Sequence, residues 1–423
     1  MPKSNKQRVS LRAMQEFDLF ELPNGIRVVH KQVKRPVAHF GFMVSAGARD
    51  EQPDETGLAH YIEHILFKGT EKRKAYHILS RMEDVGGELN AYTSKEETVI
   101  YSAFLSPDYK RAVELICDIA FHSNFPSKEL EKEKEVIIDE INSYKDSPAE
   151  LIFDDFETML FPDHPLGKSI LGTPESVRSF NQEKVQHFIQ REYAANRIVF
   201  SSVGNISTEK LKKMLWSFVD DYPASINATP RTVPAYAAPS AQRLTKNVYQ
   251  THAIIGGRAY PAEGEKARTL LLLNNLLGGP GMNSRLNLNI REKYGFTYNI
   301  ESFYNAYVDS GLFGVYLGTE AGNADRTISL VHKELKKLRE QKLGALQLSK
   351  AKRQLLGQVA MAQENNGSLM LGYGKSLLSY NRVDTFAEIQ KKVEGISAAA
   401  IQEVANEIFA PSDLSTLIYE AKK

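Results

Sequence analysis

The chain has a single cysteine, Cys117, among 423 residues. One thiol excludes an intramolecular disulfide framework. It lies in Val113-Glu114-Leu115-Ile116-Cys117-Asp118-Ile119-Ala120, which predicts a buried structural thiol rather than a nucleophile. Charge of one sign is also missing: 53 Lys and Arg against 52 Asp and Glu leave a net charge of +1. That balance argues against nucleic acid as a partner, because a nucleic-acid footprint needs a strong basic bias. No apolar run approaches the roughly 18 residues that suggest a membrane span. The N-terminus lacks the apolar core of a secretory signal. Lys3, Lys6, Arg8 and Arg12 precede the first acid, Glu16, with few apolar residues between them. A mitochondrial transit segment is also basic and acid-poor. This stretch is short and sparse in apolar residues, so the expectation is an uncleaved start and a cytoplasmic protein of bacterial type, with the mitochondrial matrix as the other compartment.

What is present is 42% hydrophobic and 25% charged residues, the composition of a soluble globular protein. At this length one ordinary core is too small, and two domains are expected.

The most specific feature is His60-Tyr61-Ile62-Glu63-His64. Residues four apart share one face of a helix, so both imidazoles can address one metal ion. Glu63 lies on that face too, where it could take a proton from a water activated by the ion. This is the H-x-x-E-H order, the inverse of H-E-x-x-H. Two solvated histidines on a surface helix would give the same five residues.

Catalytic zinc usually has three protein ligands. The segment 127–141 reads as a charged amphipathic helix, and such charge runs are usually solvated faces. Glu140, however, lies among Ile137, Ile138 and Ile141, and a carboxylate at an apolar edge needs a partner. Glu133 is two turns earlier and faces the same way.

With these residues in view, the chain resembles the M16 metallopeptidases, the pitrilysin and mitochondrial-processing-peptidase family. That family follows its inverted motif, some 75 to 77 residues later, with a glutamate ligand, and carries an auxiliary glutamate seven positions before it. Glu140 and Glu133 stand at those positions. Gly86-Gly87-Glu88-Leu89-Asn90-Ala91-Tyr92-Thr93 and His164-Pro165-Leu166-Gly167-Lys168-Ser169-Ile170-Leu171-Gly172-Thr173 are also family-like, and the likeness runs from about Leu22 to the C-terminus. The resemblance implies that His60, His64 and Glu140 hold one Zn2+ per chain, with Glu63 as the base and Glu133 as an auxiliary acid. It implies an α+β fold of two homologous α/β sandwich domains, each a mixed sheet with packed helices, of the LuxS and mitochondrial-processing-peptidase metallohydrolase type.

Along the chain, a turn and strand are read at 22–30 and a strand at 39–45. The zinc-motif helix follows, then strands at 88–93 and 98–105. Helices are expected at 109–121, 128–143 and 183–193, and a strand at 197–203. From 224 to 242 the chain is rich in Pro, Ala, Ser and Thr, and Pro230, Pro234 and Pro239 interrupt any regular element. The expected division is 1–223 for the zinc-binding domain, 224–242 for an ordered linker and 243–423 for the second domain. The halves read as a degenerate repeat. Leu130-Glu131-Lys132-Glu133 and onward aligns with Leu348-Ser349-Lys350-Ala351 and onward, which places Glu140 against Gln358 and Glu133 against Ala351. Where the second half should carry a metal motif it has Leu270-Leu271-Leu272-Leu273-Asn274-Asn275. One half should bind metal and the other should not.

The second half offers Gly278-Gly279-Pro280-Gly281-Met282-Asn283-Ser284-Arg285, which is no phosphate loop because no Gly-Lys-Ser/Thr follows. It reads as a flexible turn before a helix; the resemblance makes it a loop near the substrate channel. Ile290-Arg291-Glu292-Lys293 reads as a helix end, with Gly295 suited to its C-cap and a strand from Phe296. By themselves Arg291 and Tyr298 read as an exposed arginine and a half-buried strand tyrosine. The family carries an Arg and a Tyr seven residues apart here, and the resemblance implies that both grip the substrate backbone and its developing oxyanion. It also implies that the strand with Asn90 and Ala91 receives the substrate as an added strand through main-chain hydrogen bonds.

Two classes of function follow. The first is a zinc endopeptidase cleaving short or unfolded peptides inside a chamber formed by two chains. The alternative is a non-catalytic peptide-binding or scaffold subunit, against which the intact His60, Glu63, His64 and Glu140 set argues. An inactive paralogous partner is a further arrangement. Family pairs of that kind split the zinc motif and the Arg/Tyr pair between chains, and here both are in one chain, which points to a homodimer with composite sites.

Overall fold

Strand residues in this chain alternate between two different kinds of cover. In the strand Val37–Val44, Phe40, Phe42 and Val44 point into one core and Met43 into another. The reason becomes clear from the element order. The structure, a computed structural model, describes residues 16–227 and 230–421; Lys3, Lys6, Arg8 and Arg12 lie outside them.

The first half holds β1 (Asp18–Glu21), β2 (Arg27–Gln32), β3 (Val37–Val44), α1 (Leu58–Leu66) and α2 (Ala75–Glu83). It continues with β4 (Glu88–Thr93), β5 (Thr98–Leu105), α3 (Tyr109–His122), α4 (Ser127–Lys145) and α5 (Pro148–Leu160). It closes with α6 (Pro174–Ser179), α7 (Gln182–Glu192), β6 (Ile198–Gly204) and α8 (Thr208–Val219). The second half holds β7 (Ala241–Lys246), β8 (Thr251–Arg258), α9 (Glu265–Gly278), β9 (Thr297–Ala306) and β10 (Gly311–Thr319). After these come α10 (Ala324–Glu340), α11 (Ala345–Glu364), α12 (Asn366–Tyr380), α13 (Phe386–Glu394), α14 (Ala398–Ile408) and β11 (Ser415–Ala421). β7 begins at Ala241, inside the stretch expected as linker, because β11 takes it up as a parallel neighbour.

Each half makes one mixed sheet. The first has the order β1-β2-β6-β3-β5-β4 and the second β7-β11-β8-β10-β9. Among the described residues only β2·β6 and β11·β7 are parallel. With β1 set aside, the two orders superimpose strand for strand, and the parallel pair falls at the same place. The fold is therefore the two-part α/β arrangement expected, with mixed sheets and packed helices.

One face of each sheet is covered by its own half. The first core joins Phe40, Phe42, Ile100 and Phe200 to residues of α1, α3, α4 and α8. The second joins Ile255, Phe313 and Val315 to α9, α10, α11 and α14. The other face is covered by a helix from the opposite half. α12 lays Leu369, Met370, Tyr373 and Leu377 on Val29, Met43, Val99 and Val199 of the first sheet. α5 lays Ile152, Phe156 and Leu160 on Ile254, Leu312, Tyr316 and Leu417 of the second. Fit explains the choice of helix: a Cβ at Gly374 would stand 2.3 Å from the sulfur of Met43, and the Ser201 hydroxyl donates to the Met370 carbonyl at 2.6 Å.

Ion pairs seam the halves together between these layers. The buried Arg49 donates to Glu96 at 2.6 Å, to Asp309 at 2.5 Å and to the Thr232 carbonyl at 2.7 Å. Lys95 pairs with Glu157 at 2.9 Å, and the Tyr307 hydroxyl donates to the same carboxylate at 3.0 Å. Such charges are tolerable when buried because each is met by several partners.

The exchange of helices predicts shared stability. Phe156→Ala removes a first-half side chain from the second sheet and is expected to cost about 3–5 kcal/mol. Urea unfolding should show one transition that moves as a whole. Two separate transitions, only one of them shifted, would contradict the exchange.

Candidate active site

α1 is built to present two histidines. Its inner face (Leu58, Ala59, Tyr61, Ile62, Ile65 and Leu66) is fully buried, which leaves His60, Glu63 and His64 on the flank toward α4 and β4. The Tyr61 hydroxyl donates to the Leu130 carbonyl at 2.8 Å and so ties α1 to the first turns of α4. Along α4, Leu130, Ile137, Ile138 and Ile141 go into the core. Glu133 and Glu140 then fall beside α1.

The imidazoles of His60 and His64 lie edge to face, 4.7 Å between centroids. Glu140 reaches both: Oε1 is 3.8 Å from Nε2 of His60, and Oε2 is 3.5 Å from Nε2 of His64. One ligand atom from each of His60, His64 and Glu140 lies within 4.8 Å of the others, and this is the one such group among the described residues. No comparable cluster forms in the second half, where Leu270, Leu272 and Leu273 of α9 are buried against the sheet.

Around this cluster the charges are sorted. Burial pulls His60 down to about 4, with the neighbouring His64 adding to the fall, so it is a neutral imidazole with a free lone pair. His64 is also pulled down by burial, but its bond to Glu133 and the charges of Glu140, Glu133 and Glu63 outweigh that and raise it. Glu133 accepts from Nδ1 of His64 at 3.0 Å, and its other oxygen meets Lys68 at 2.7 Å. These two partners hold Glu133 below the usual carboxylate range against the effect of its burial. A proton fixed on Nδ1 leaves Nε2 of His64 as the lone-pair nitrogen, facing Glu140. Glu63 is raised, first by burial and further by Glu140, while Thr93 and His64 oppose the rise. Its Oε2 is buried without a hydrogen-bond partner, as is Nδ1 of His60.

Two imidazoles and one carboxylate form a donor set suited to zinc. The lone pairs of His60 and His64 and the convergence of Glu140 on both rings fit the ion, and the orphaned Glu63 oxygen fits a reacting group that these atoms lack.

β4 is the outer strand of the first sheet and, among the described residues, pairs only with β5, Asn90 opposite Tyr101 and Ala91 opposite Ile100. Its other edge is open for a further strand. Arg291 and Tyr298 stand elsewhere. Arg291 lies in a π-helical turn, Asn287–Glu292, where helical spacing alone predicts an ordinary helix end. Such widened turns recur at functional sites. Gly295, with φ 65°, then ends the helix as expected. Arg291 donates to Asn287 and Glu292, each at 3.2 Å, and Tyr298 is 82% exposed. They line a depression of about 220 Å³ with Gly279, Gly281 and Met282, and no metal-cluster residue shares it. Within one chain the structure brings together His60, Glu63, His64, Glu133 and Glu140, and it leaves Arg291 and Tyr298 apart.

Sequence reasoning missed Lys68 and Thr93. Lys68 continues the spacing His60, His64 by four more residues, a signal hidden because α1 ends at Leu66. Thr93 ends β4 next to Glu63, a tertiary contact with no local pattern. Two other histidines serve the fold: His30 is fully buried with Nε2 2.9 Å from the Ile206 carbonyl, and His164 holds its own turn through Leu166. Cys117 is buried and its thiol is pushed well up by burial, as expected of a structural cysteine.

Comparison with known proteins places these features. Residues 27–174 match the family model described as insulinase (peptidase family M16), and residues 179–355 match the peptidase M16 inactive domain. The chain is 32% identical over 397 residues to the uncharacterized zinc protease YmxG of Bacillus subtilis (strain 168), spanning 93% of this chain and 96% of that protein. It is 32% identical over 411 residues to an uncharacterized zinc protease of Rickettsia bellii (strain RML369-C), spanning 96% and 98%. In fold it is similar to a peptidase M16 inactive domain from Pseudomonas fluorescens (TM-score 0.89, 18% identity, 97% of this chain and 99% of that one). A protease from Helicobacter pylori is similar too (TM-score 0.87, 19% identity, 96% and 99%).

His60→Ala, His64→Ala and Glu140→Ala are each expected to abolish tight zinc binding, measured as metal content after dialysis. Glu140→Gln, which copies Gln358 of the second half, is the sharpest of the set. Zinc content equal to that of the unchanged chain would remove Glu140 from the donor set.

Proposed function

This chain belongs to peptidase family M16, and we propose that it is a zinc-dependent endopeptidase that hydrolyses short or unfolded peptides. The observation that carries the reading is the convergence of His60, His64 and Glu140 beside a raised, orphaned Glu63. The names of its zinc-protease relatives support the metal. No helix among the described residues is long and apolar enough to cross a membrane.

In the proposed mechanism His60, His64 and Glu140 hold the ion. Zinc held there would supply Lewis-acid polarisation of a peptide carbonyl and would make a water molecule more acidic. Glu63 takes a proton of that water at Oε2, the oxygen without a partner, as the water oxygen bonds to the carbonyl carbon, and passes it to the amine nitrogen as the C–N bond breaks. Its raised pKa suits that exchange, since a base far below the working pH holds a proton too weakly to pass it on. Glu133 acts through His64, fixing the ring and its tautomer, and Lys68 keeps Glu133 ionised. β4 offers Asn90 and Ala91 as an edge to which an extended peptide adds by main-chain bonds. That mode discriminates little between side chains, in keeping with peptides as a class. Arg291 and Tyr298 donate to the substrate backbone and the developing oxyanion.

Arg291 and Tyr298 line a depression that no residue of the metal cluster shares, and the reading therefore includes a two-fold homodimer. Two chains close on a chamber, and each site takes His60, Glu63, His64 and Glu140 from one and Arg291 and Tyr298 from the other. The proposed division of labour is a zinc-binding first half, a linker and a second half that lacks the metal.

Two outcomes test this. Glu63→Gln should keep its zinc and lose turnover by at least about 10²–10⁴-fold; a zinc-loaded variant that still cleaves a fluorogenic peptide would refute the base. For assembly, a Glu63→Gln homodimer should be inactive and an Arg291→Ala/Tyr298→Phe homodimer badly impaired. Mixing the two should restore activity, since one of the two sites in a mixed dimer has every group intact. Verified mixed dimers without recovery would contradict sites shared between chains.

A further inference from the structure

α1 starts without a local cap. Its N-cap is Gly57, at φ 91°, and no side chain there accepts a hydrogen bond. A Cβ at Gly57 would stand 2.7 Å from the Gly172 Cα and 2.8 Å from the Leu171 carbonyl oxygen. The Ser, Thr, Asp or Asn that normally accepts first-turn N–H groups therefore cannot occupy the position. Yet a helix start leaves four N–H groups without intrahelical acceptors.

A residue from outside the helix fills the gap. Glu51 accepts from the Gly57 N–H at Oε2 and from the Ala59 N–H at Oε1, both at 2.9 Å. The Leu58 N–H between them goes to the Glu55 carbonyl at 2.8 Å. Glu51 is only 7% exposed, and among the described residues no ion pair includes it. Arg191 pairs with Glu55 at 2.7 Å, and Lys168 is 3.4 Å from the Thr56 hydroxyl. A buried carboxyl with no cationic partner is costly, and two helix-start N–H groups are what compensates it. Burial drives Glu51 up; the bonds from Ala59 and Gly57, one to each oxygen, favour the ionised form and oppose the rise, Glu55 adds to it and Lys168 opposes it. The positive end of α1 is a further pull toward the ionised form.

The same short segment reaches the substrate edge. The Ala48 N–H donates to the Ser94 carbonyl at 3.1 Å and the Arg49 N–H to the Lys95 carbonyl at 2.7 Å. These carbonyls belong to the turn that joins β4 to β5. The segment is thus fixed to β4 at one end and, through Glu51, to the start of α1 at the other.

We propose that Glu51 is a positioning residue for the metal motif: by gripping Gly57 and Ala59 it sets where α1 begins, and so where His60 and Glu63 stand relative to β4. The inference rests on the peptidase reading for its catalytic consequence and on geometry alone for the grip.

Glu51→Gln in the full chain tests it. Glutamine keeps the shape but offers one acceptor oxygen and sets an amide N–H₂ against the second donor. The expected result is kcat reduced about 10-fold or more and zinc affinity, by chelator competition, weakened by a similar factor, with KM little changed. A carboxyl that merely supports the fold would lower the unfolding midpoint and leave kcat and zinc affinity unchanged, and that result overturns the proposal. If Glu51→Gln does not fold, Glu51→Asp, which keeps the charge and shortens the reach, is read by the same kcat and zinc-affinity outcomes, and hydrogen exchange on the unchanged chain reports the grip itself. The Ala59 N–H precedes the first intrahelical bonds, so slow exchange requires the Glu51 oxygen; exchange at the rate of a free amide overturns the proposal. An unchanged chain that binds no zinc and cleaves no peptide would defeat the peptidase reading, while amide exchange would still judge the grip.

Discussion

The hydrogen bond from the Tyr61 hydroxyl to the Leu130 carbonyl, buried at 2.8 Å, sets α1 against α4 at one register. With Leu130 fixed beside Tyr61, Glu133 comes one turn along α4 to His64, and Glu140 comes two turns further to both imidazoles. A shift of either helix by one residue would turn these carboxylates away, since neighbouring positions lie about 100° apart around a helix. The isoleucines at 137, 138 and 141 hold the same register by burial. The cluster is therefore a product of core packing, and its chemistry depends on how α4 is seated.

Charge at the site follows from that seating. His60 is dry and neutral, His64 is raised by three carboxylates, and Glu133 is kept ionised between His64 and Lys68. Nearby groups of the same chemical type are thus pushed in opposite directions by their surroundings, the condition for separate roles in one site. The second half shows what the fold does without these groups: α9 takes the place of α1 and turns Leu270, Leu272 and Leu273 into the core.

Much of this was legible in the sequence, for identifiable reasons. His60, Glu63 and His64 sit four or fewer residues apart, so helical geometry alone puts them on one flank. Glu140 was legible because it interrupts an isoleucine face. The sheet strands announced themselves through alternation, as in Phe40, Phe42 and Val44. What was not legible depends on distant parts of the chain. Nothing local in Asn366–Tyr380 says that this helix covers the other half's sheet; the reason is the fit of Gly374 to Met43, more than three hundred residues away. The π-helical turn under Arg291 leaves no mark on residue spacing. No local pattern marks Glu51, whose task is set by the uncapped helix start at Gly57, six residues on.

The central claim is that His60, His64 and Glu140 of this chain bind zinc at one place. The most direct test is a crystal structure of the zinc-loaded protein with anomalous scattering recorded on both sides of the zinc edge. The account predicts one strong zinc peak per chain, within about 2.0–2.2 Å of a nitrogen of His60, a nitrogen of His64 and an oxygen of Glu140. A peak on other residues, or none at this cluster in protein shown to be loaded, would contradict it.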